Sequence, residues 1–278
     1  MSSKMNQLFT QVHNVPQVPK VVQILINQFN DPNVDMKDIA RNVEKEQVIS
    51  LKVLRLVNSA YFGLSKKVAS IEKAVVVLGM GQLRTLVIAS GIVSVAPKVD
   101  GFNIKQFWQD SFCTASYAKW LAVETRFGAD ADITFTVGLI SDLGRILIHL
   151  GLPKEAEEIE QRVSDNHPRP FVEKMRLGFT SQEVSGELCK LWKFSDDLII
   201  PVTRCGEPLL IEPVSKIACI VFIARYLSNC KRLNIGHDAI LQGMPMDVIA
   251  QLGVPTGFFT ERLATIMALE SGLEGLLD

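Results

Sequence analysis

Histidine, aromatic residues and a surplus of charge are all scarce in this sequence. Only four of the 278 residues are histidines, aromatics make up 7%, and 29 basic side chains against 30 acidic ones leave a net charge of -1. Imidazoles dominate catalytic sites for transition metals, and proteins that bind nucleic acid carry a basic surplus. The composition therefore argues against both classes, and no Lys/Arg block indicates an anionic membrane surface as a target. We expect neither a nucleic-acid nor a membrane partner.

Long apolar runs and paired cysteines are missing as well. The apolar stretch at residues 74–96 is broken by two glycines, a glutamine and an arginine, so no membrane span is expected. Residues 1–11 are polar and lack the apolar centre of a signal peptide. The cysteines have no CxxC spacing, which favours buried, reduced thiols in a cytoplasmic protein. They are Cys113, Cys189, Cys205, Cys219 and Cys230.

Most of the chain has helical periodicity. Hydrophobic residues make up 47% of it and recur at spacings of three and four, which is typical of amphipathic helices. No repeat or strand pattern stands out, so we predict an all-α protein. Residues 97–101 contain a proline and a glycine and mark a change of pattern. We place a boundary there, between an N-terminal helical lobe (residues 1–100) and a second helical lobe that includes the C-terminal helices (residues 101–278).

One predicted helix combines an apolar face with an acid. The spacing predicts a helix over residues 134–150, with Asp132 as its N-cap and Gly151 as a left-handed stop. An ionised carboxylate among apolar side chains is costly unless it is paired or ligated. Asp142 is therefore expected to have a partner. It shares its helical face with Phe135, Leu139, Ile146 and His149.

Six short segments form a distinctive set. They are residues 58–63 (NSAYFG), 107–111 (FWQDS), 138–144 (GLISDLG), 180–185 (TSQEVS), 204–208 (RCGEP) and 224–225 (AR). Together they resemble the HDOD family, the "HD-related output domain" of bacterial signalling proteins, over about residues 15–227. That family is related to the HD metal-dependent phosphohydrolases, in which His and Asp side chains bind metal ions. The resemblance therefore implies an HD-domain-like bundle of helices.

The resemblance also implies where metal ligands would stand, and most of them are replaced here. The pattern places histidines at the positions of Asp110, Ser141, Ser181 and the pair Cys205 and Gly206, and an aspartate at Arg225. Asp142 alone is retained. The resemblance thus implies a relic pocket that holds no metal and no other cofactor. Its residues are Asp110, Ser141, Asp142, Ser181, Arg204, Cys205 and Arg225.

An arginine can replace a lost metal ion as the partner of an acid. A guanidinium group makes charge-assisted and often two-point contacts with a carboxylate. We hypothesise that Arg225, or the neighbouring Arg204, pairs with Asp142 or Asp110.

Catalytic interpretations of the same residues are weaker. Asp110 and Asp142 alone would leave a hard ion such as Mg²⁺ with too few ligands. Cys205 beside Arg204 is better explained as an ordinary thiol than as a nucleophile. None of the histidines stands at a ligand position of the family pattern; they are His13, His149, His167 and His237.

These residues favour a regulatory protein over an enzyme. We expect a non-catalytic signal-transduction or regulatory module that acts through protein or nucleotide binding, with a signalling protein as its partner. The alternative is a divergent metal-dependent phosphohydrolase that acts on a nucleotide or cyclic dinucleotide through Asp110 and Asp142. A transcriptional regulator is disfavoured by the charge balance. Whether the relic pocket binds a nucleotide is left open by the sequence.

Overall fold

All regular secondary structure that the structure describes is helical. It is a computed structural model that describes residues 3–12, 17–27, 36–125, 128–164, 167–255 and 257–277. No strand occurs in these ranges, so the predicted all-α class is confirmed. His13 and residues 15–16, which open the resemblance, lie outside the described residues.

The helices fall on both sides of the predicted boundary at residues 97–101. Before it are α1 (Ser3–Gln11), α2 (Lys20–Asn27), α3 (Met36–Lys45), α4 (Gln47–Val57), α5 (Ile71–Leu78) and α6 (Met80–Val95). After it are α7 (Ile104–Thr125), α8 (Ala131–Ile140), α9 (Leu143–Gly151), α10 (Pro153–Ser164), α11 (Arg169–Leu177) and α12 (Ser181–Leu191). They are followed by α13 (Asp196–Arg204), α14 (Lys216–Arg232), α15 (His237–Gln242), α16 (Met246–Ala250), α17 (Phe258–Met267) and a 3₁₀ helix (Glu274–Leu276).

The long helix α7 organises the second half of the chain because it packs against both α8 and α14. Small side chains permit this close packing. Ala115 and Ala118 on α7 are fully buried, and a Cβ atom on Gly138 of α8 would lie only 2.8 Å from the Cα atom of Ala115. The two predicted lobes also touch, because α1 packs on α9 and α6 on α8. The boundary between residues 1–100 and 101–278 stays a prediction.

The helix predicted over residues 134–150 is two helices in the structure, so that prediction is wrong in its detail. α8 ends before Ser141, and α9 begins after Asp142, which has φ -102° and ψ 6°. The side chain of Ser185 on α12 causes the interruption. Its hydroxyl donates to the carbonyl of Ser141 at 2.8 Å and accepts from the N–H of Gly144 at 2.8 Å. Two backbone groups that a continuous helix would pair internally are therefore bonded to α12 instead.

Both expected ends of that helix also differ. The N-cap is Asp130, whose carboxylate accepts from the N–H groups of residues 132 and 133, whereas Asp132 forms an ion pair with Lys119 at 2.8 Å. Gly151 is not left-handed but the last residue of α9. Glycine at position 151 allows α9 to pack closely on α1, because a Cβ atom there would lie 2.6 Å from Leu8 of α1.

The stretch from α8 through α9 is long and apolar enough to cross a membrane by length and composition. Residues 131–151 pass that test, but 78% of their most apolar part is buried inside the protein. The stretch is also interrupted at residues 141–142. It therefore forms part of the core of the fold.

Candidate functional site

Asp142 and Arg225 form an ion pair at the centre of the relic pocket. The Nη2 atom of Arg225 lies 2.8 Å from Oδ1 of Asp142, and Nε lies 3.4 Å from Oδ2. Only 18% of the Arg225 side chain and 22% of the Asp142 side chain are exposed. Two contacts from one guanidinium to one carboxylate are the geometry that orders both groups. The hypothesis of such a pair is confirmed for these two residues.

Asp142 has a second partner, Gln182, which the sequence reasoning missed. The side-chain amide of Gln182 donates to Oδ1 of Asp142 at 2.6 Å and to the hydroxyl of Ser181 at 3.2 Å. Gln182 is fully buried. Gly206 leaves space for it, because a Cβ atom on Gly206 would lie 2.7 Å from Oε1 of Gln182. Gln182 thus occupies the space that a larger residue at position 206 would need.

Arg204 takes no part in this pair. Its guanidinium donates to the carbonyl of Pro213 at 3.0 Å, across the loop that follows α13. Arg204 is the last residue of α13, and its side chain reaches that loop instead of the pocket. The version of the hypothesis that paired Arg204 with an acid is therefore wrong.

Asp110 lies on α7 at the margin of the pocket. It accepts from the side chain of Gln106 at 2.9 Å, and Arg232 lies 3.6 Å away. Burial raises the pKa of Asp110, and the charge of Asp142 acts in the same direction, although Gln106 and Arg232 oppose them. Asp110 and Asp142 therefore affect each other electrostatically, while each has its own hydrogen-bond partners.

The three other predicted site residues are buried, and local groups satisfy them. The hydroxyl of Ser141 donates to the carbonyl of Gly138 at 3.2 Å. The thiol of Cys205 donates to the carbonyl of Val202 at 3.3 Å, and burial raises its pKa to about 12. A thiol with such a pKa is not a thiolate at neutral pH, so it is a poor nucleophile. Ser181 donates with its N–H and its hydroxyl to Glu173, as described next.

A second charged cluster lies beside the pocket, and the sequence reasoning missed it. Glu173 is 1% exposed and accepts from the N–H and hydroxyl of Ser181 at 2.7 and 3.0 Å. Arg169 lies 3.5 Å from Glu173 and 2.5 Å from Glu160. Arg145 lies 3.3 Å from Glu160. Arg145 follows Asp142 within an apolar run, and a charged residue in such a run indicates a buried ion pair.

Arginine charges oppose the effect of burial on the acids of this region. Burial alone would raise the pKa of Asp142, but Arg225 and Arg145 outweigh it and hold the pKa below its usual value. Burial likewise opposes ionisation of Glu160, but Arg169 and Arg145 lower its pKa to about 2. At Glu173, burial prevails over Arg169 and raises the pKa. Guanidinium groups thus supply the positive charge that metal ions supply in a metal-dependent hydrolase.

The donor set does not fit a divalent metal. Within the described residues, no group of three or more His, Cys, Asp or Glu side chains converges to hold an ion. Asp142 is bonded to Arg225 and Gln182. His149 uses Nδ1 on the carbonyl of Arg145 at 2.8 Å and packs against the ring of Phe102.

Comparison with known proteins agrees with the fold. The HDOD domain profile matches residues 15–208. A phosphohydrolase candidate from Shewanella amazonensis SB2B is 32% identical, with a TM-score of 0.76 and coverage of 98% of this chain and 97% of that one. An HDOD domain protein of unknown function from Geobacter sulfurreducens is 21% identical, with a TM-score of 0.79 and coverage of 99% and 97%.

A curated relative has a named activity. The cyclic di-GMP phosphodiesterase CdgJ of Vibrio cholerae is 30% identical over 123 residues, which are 44% of this chain and 28% of CdgJ. The chain spans about a third of the length of the curated relatives it matches. The family match covers well over half of the chain. The chain belongs to the HDOD family.

Proposed function

We propose that this chain is a regulatory module of bacterial signal transduction that performs no phosphohydrolase reaction and acts by binding a signalling protein in the cytoplasm. The observation that carries the proposal is the contact of Arg225 and Gln182 with the one retained acid, Asp142. The five cysteines are free, which supports a reducing compartment.

Metal-assisted hydrolysis of a phosphate ester requires a bound divalent ion, and the positive charge of Arg225 in this pocket opposes its binding. A divalent ion must lower the pKa of a bound water and neutralise the phosphate. The resemblance implies an acid at the position that Arg225 occupies here. An ion placed about 4 Å from that guanidinium would be repelled by roughly 8 kcal/mol, taking about 4 kcal/mol for each unit of charge at an effective dielectric constant of 20.

The rival function is hydrolysis of a cyclic dinucleotide, and the name of CdgJ is the observation in its favour. That name describes a protein of which this chain matches 28%. The chain differs from a hydrolase in the pocket itself, where Ser141, Ser181 and Cys205 are bonded to protein groups.

Turnover assays distinguish the two functions. Purified protein is incubated with cyclic di-GMP and with a general phosphodiesterase substrate in Mg²⁺ or Mn²⁺, and the variant Asp142→Ala is assayed beside it. We expect no turnover above the buffer control for either protein. Reproducible turnover that the substitution abolishes would contradict the proposal.

Thermal unfolding with nucleotides tests whether the partner is a small molecule. A ligand that binds the folded state raises the Tm with its concentration. We expect cyclic di-GMP, GTP and ATP to leave the Tm unchanged. A rise that disappears in Arg225→Met would identify the pocket as a nucleotide sensor and would contradict a protein partner as the primary ligand.

A further inference from the structure

Helix α4 exposes a stripe of apolar and basic side chains. Val48 is 61% exposed and Leu51 is 70% exposed. Lys52 and Arg55 follow at the spacing that places all four residues on one face of the helix. The opposite face of α4 is buried in the core. We take these two largely exposed aliphatic side chains, one turn apart and next to cations, as the starting point for a binding surface.

The loop after α4 carries two more exposed lysines. The side chain of Asn58 donates to the carbonyl of Val68 at 2.8 Å and accepts from the N–H of the same residue at 2.8 Å. These paired bonds hold the loop against the end of α4. Lys66 and Lys67, just before Val68, are exposed there. This contact explains the role of Asn58 in the NSAYFG segment.

The segment that forms α4 and the loop after it is more basic than the chain as a whole. Residues 47–73 contain five Lys and Arg residues and one acid, Glu72, whereas the whole chain has a net charge of -1. The cations are spread along the sequence, so the composition did not reveal them. The pKa of Lys52 is lowered by partial burial and then by the charge of Arg55, which supports their closeness.

The chain's own C-terminal segment packs on α4 at its buried face. The 3₁₀ helix packs on α4, and a Cβ atom on Gly275 would lie 3.3 Å from Leu56. Leu273 and Leu276 are buried there. The same segment contains Glu270 and Glu274, whose charges help raise the pKa of nearby Tyr61 after the larger effect of burial. An acidic, leucine-containing segment of this chain therefore already packs on α4, at the buried Leu56.

We propose that Val48, Leu51, Lys52, Arg55, Lys66 and Lys67, here called the basic stripe, form the docking surface for an acidic amphipathic helix of a partner protein. The proposal rests on the proposed function, in which the module acts through protein contacts. Val48 to Arg55 spans about 10 Å at 1.5 Å per residue, which matches two turns of a partner helix. Apolar anchors spaced three or four residues apart would cover Val48 and Leu51, and flanking carboxylates would face the cations.

Binding of defined probes tests the basic stripe. The probe is a fluorescein-labelled helical peptide with leucine at every third or fourth position and glutamate at the flanking positions; a second peptide keeps the leucines and replaces glutamate by lysine. We expect the acidic peptide to bind at least about tenfold more tightly, and to weaken as salt rises from about 50 to about 300 mM. The double variant Leu51→Glu with Arg55→Glu should lose at least about tenfold in affinity.

Controls distinguish specific binding at the basic stripe from nonspecific binding and from effects of misfolding. Val123→Glu replaces a residue that is 57% exposed on α7, and it should bind the acidic peptide as the unchanged protein does. Circular dichroism and the Tm should be the same for all variants, because every changed side chain is exposed. Equal binding of both peptides, or binding of the acidic peptide that survives the double substitution, would overturn the proposal.

Binding to anionic vesicles and to DNA tests the alternatives to a protein partner. Phosphatidylcholine vesicles with phosphatidylserine and a short DNA duplex are titrated under the same conditions. If either binds through the basic stripe while the acidic peptide does not, the proposal of a protein partner is wrong. Metal-dependent turnover would refute the proposed function but would leave these binding results unchanged, so the two failures can be told apart.

Discussion

Replacing Arg225 by methionine is predicted to destabilise the protein more than any matched surface change. The substitution keeps most of the side-chain volume but removes the guanidinium that bonds Asp142 at 2.8 and 3.4 Å. The carboxylate keeps only the amide of Gln182 as a partner. Breaking a buried ion pair from one side costs about 3–5 kcal/mol. Since both side chains are about one-fifth exposed, we expect a loss at the lower end, about 3 kcal/mol.

The loss should also depend on pH in a defined direction. In the unchanged protein the pKa of Asp142 lies below its ordinary value of 3.8. Its ion pair therefore stabilises the fold above that value and is lost as the pH falls through the folded-state pKa. Without Arg225, burial is opposed by Arg145, Arg169 and Gln182 alone, so we expect the pKa of Asp142 to rise. The variant can then relieve its unpaired charge by protonation, so its deficit in the free energy of unfolding should shrink as the pH falls from 7 towards the raised pKa of Asp142.

Urea unfolding followed by circular dichroism measures these free energies. Arg232→Met is the matched control, because Arg232 is 41% exposed and lies 3.6 Å from Asp110; it should cost less than about 1 kcal/mol. The double variant Asp142→Asn with Arg225→Met should cost less than the sum of its parts, by about 2 kcal/mol. Additive losses, or equal losses for Arg225→Met and Arg232→Met, would refute the reasoning.

Three further outcomes follow from the geometry. Glu160→Gln should be less stable than the unchanged protein at pH 7. Because the pKa of Glu160 is lowered from 4.5 to about 2, this difference in stability should vanish as the pH falls from 4.5 to about 2. Tm values across that pH range test this, and a constant difference in Tm would contradict it. Gly144→Ala should lower the free energy of unfolding by about 3 kcal/mol, because its Cβ atom would lie 2.0 Å from the carbonyl oxygen of Ser181. In the control Gly236→Ala the new Cβ atom meets nothing within 4 Å, so the loss should be under about 1 kcal/mol. Urea unfolding measures both. Cys205 should resist iodoacetamide at pH 8 in the folded protein and react in urea, because its pKa is about 12 and it is fully buried. Mass spectrometry of the modified peptides measures the labelling. Rapid labelling of Cys205 in the folded protein would be inconsistent with the structure.

The ion pair was predictable because it follows from local chemistry. An acid in an apolar segment needs a counter-charge, and the resemblance placed Arg225 where another acid would stand. Both facts can be read from the sequence without knowing how the helices pack. The same holds for the all-α class, which follows from the period of the apolar residues.

The break between α8 and α9 was not predictable from periodicity. The apolar pattern continues through residues 141–142, and the interruption depends on the hydroxyl of Ser185, which lies on another helix. Gln182 is a similar case. A glutamine near the start of a helix resembles a surface residue, and it is buried because Gly206 has no side chain to exclude it.

The cluster around Glu160 was only partly predictable from the sequence. Glu160 belongs to a helix whose acidic sequence is typical of a solvent-exposed face, yet its carboxylate lies between Arg145 and Arg169. Arg145 was visible as a charge in an apolar helix three residues after Asp142. The pairing of these groups depends on how α9, α10 and α11 pack together, and that packing is not encoded in local spacing.

Titration with Mn²⁺, followed by electron paramagnetic resonance, tests most directly whether an arginine has replaced the metal. The signal of the free ion falls when the protein binds it, and the measurement requires no substrate. We predict that the free signal stays unchanged in the presence of the protein at pH 7. Binding of one Mn²⁺ per chain that Asp142→Ala abolishes would contradict the account.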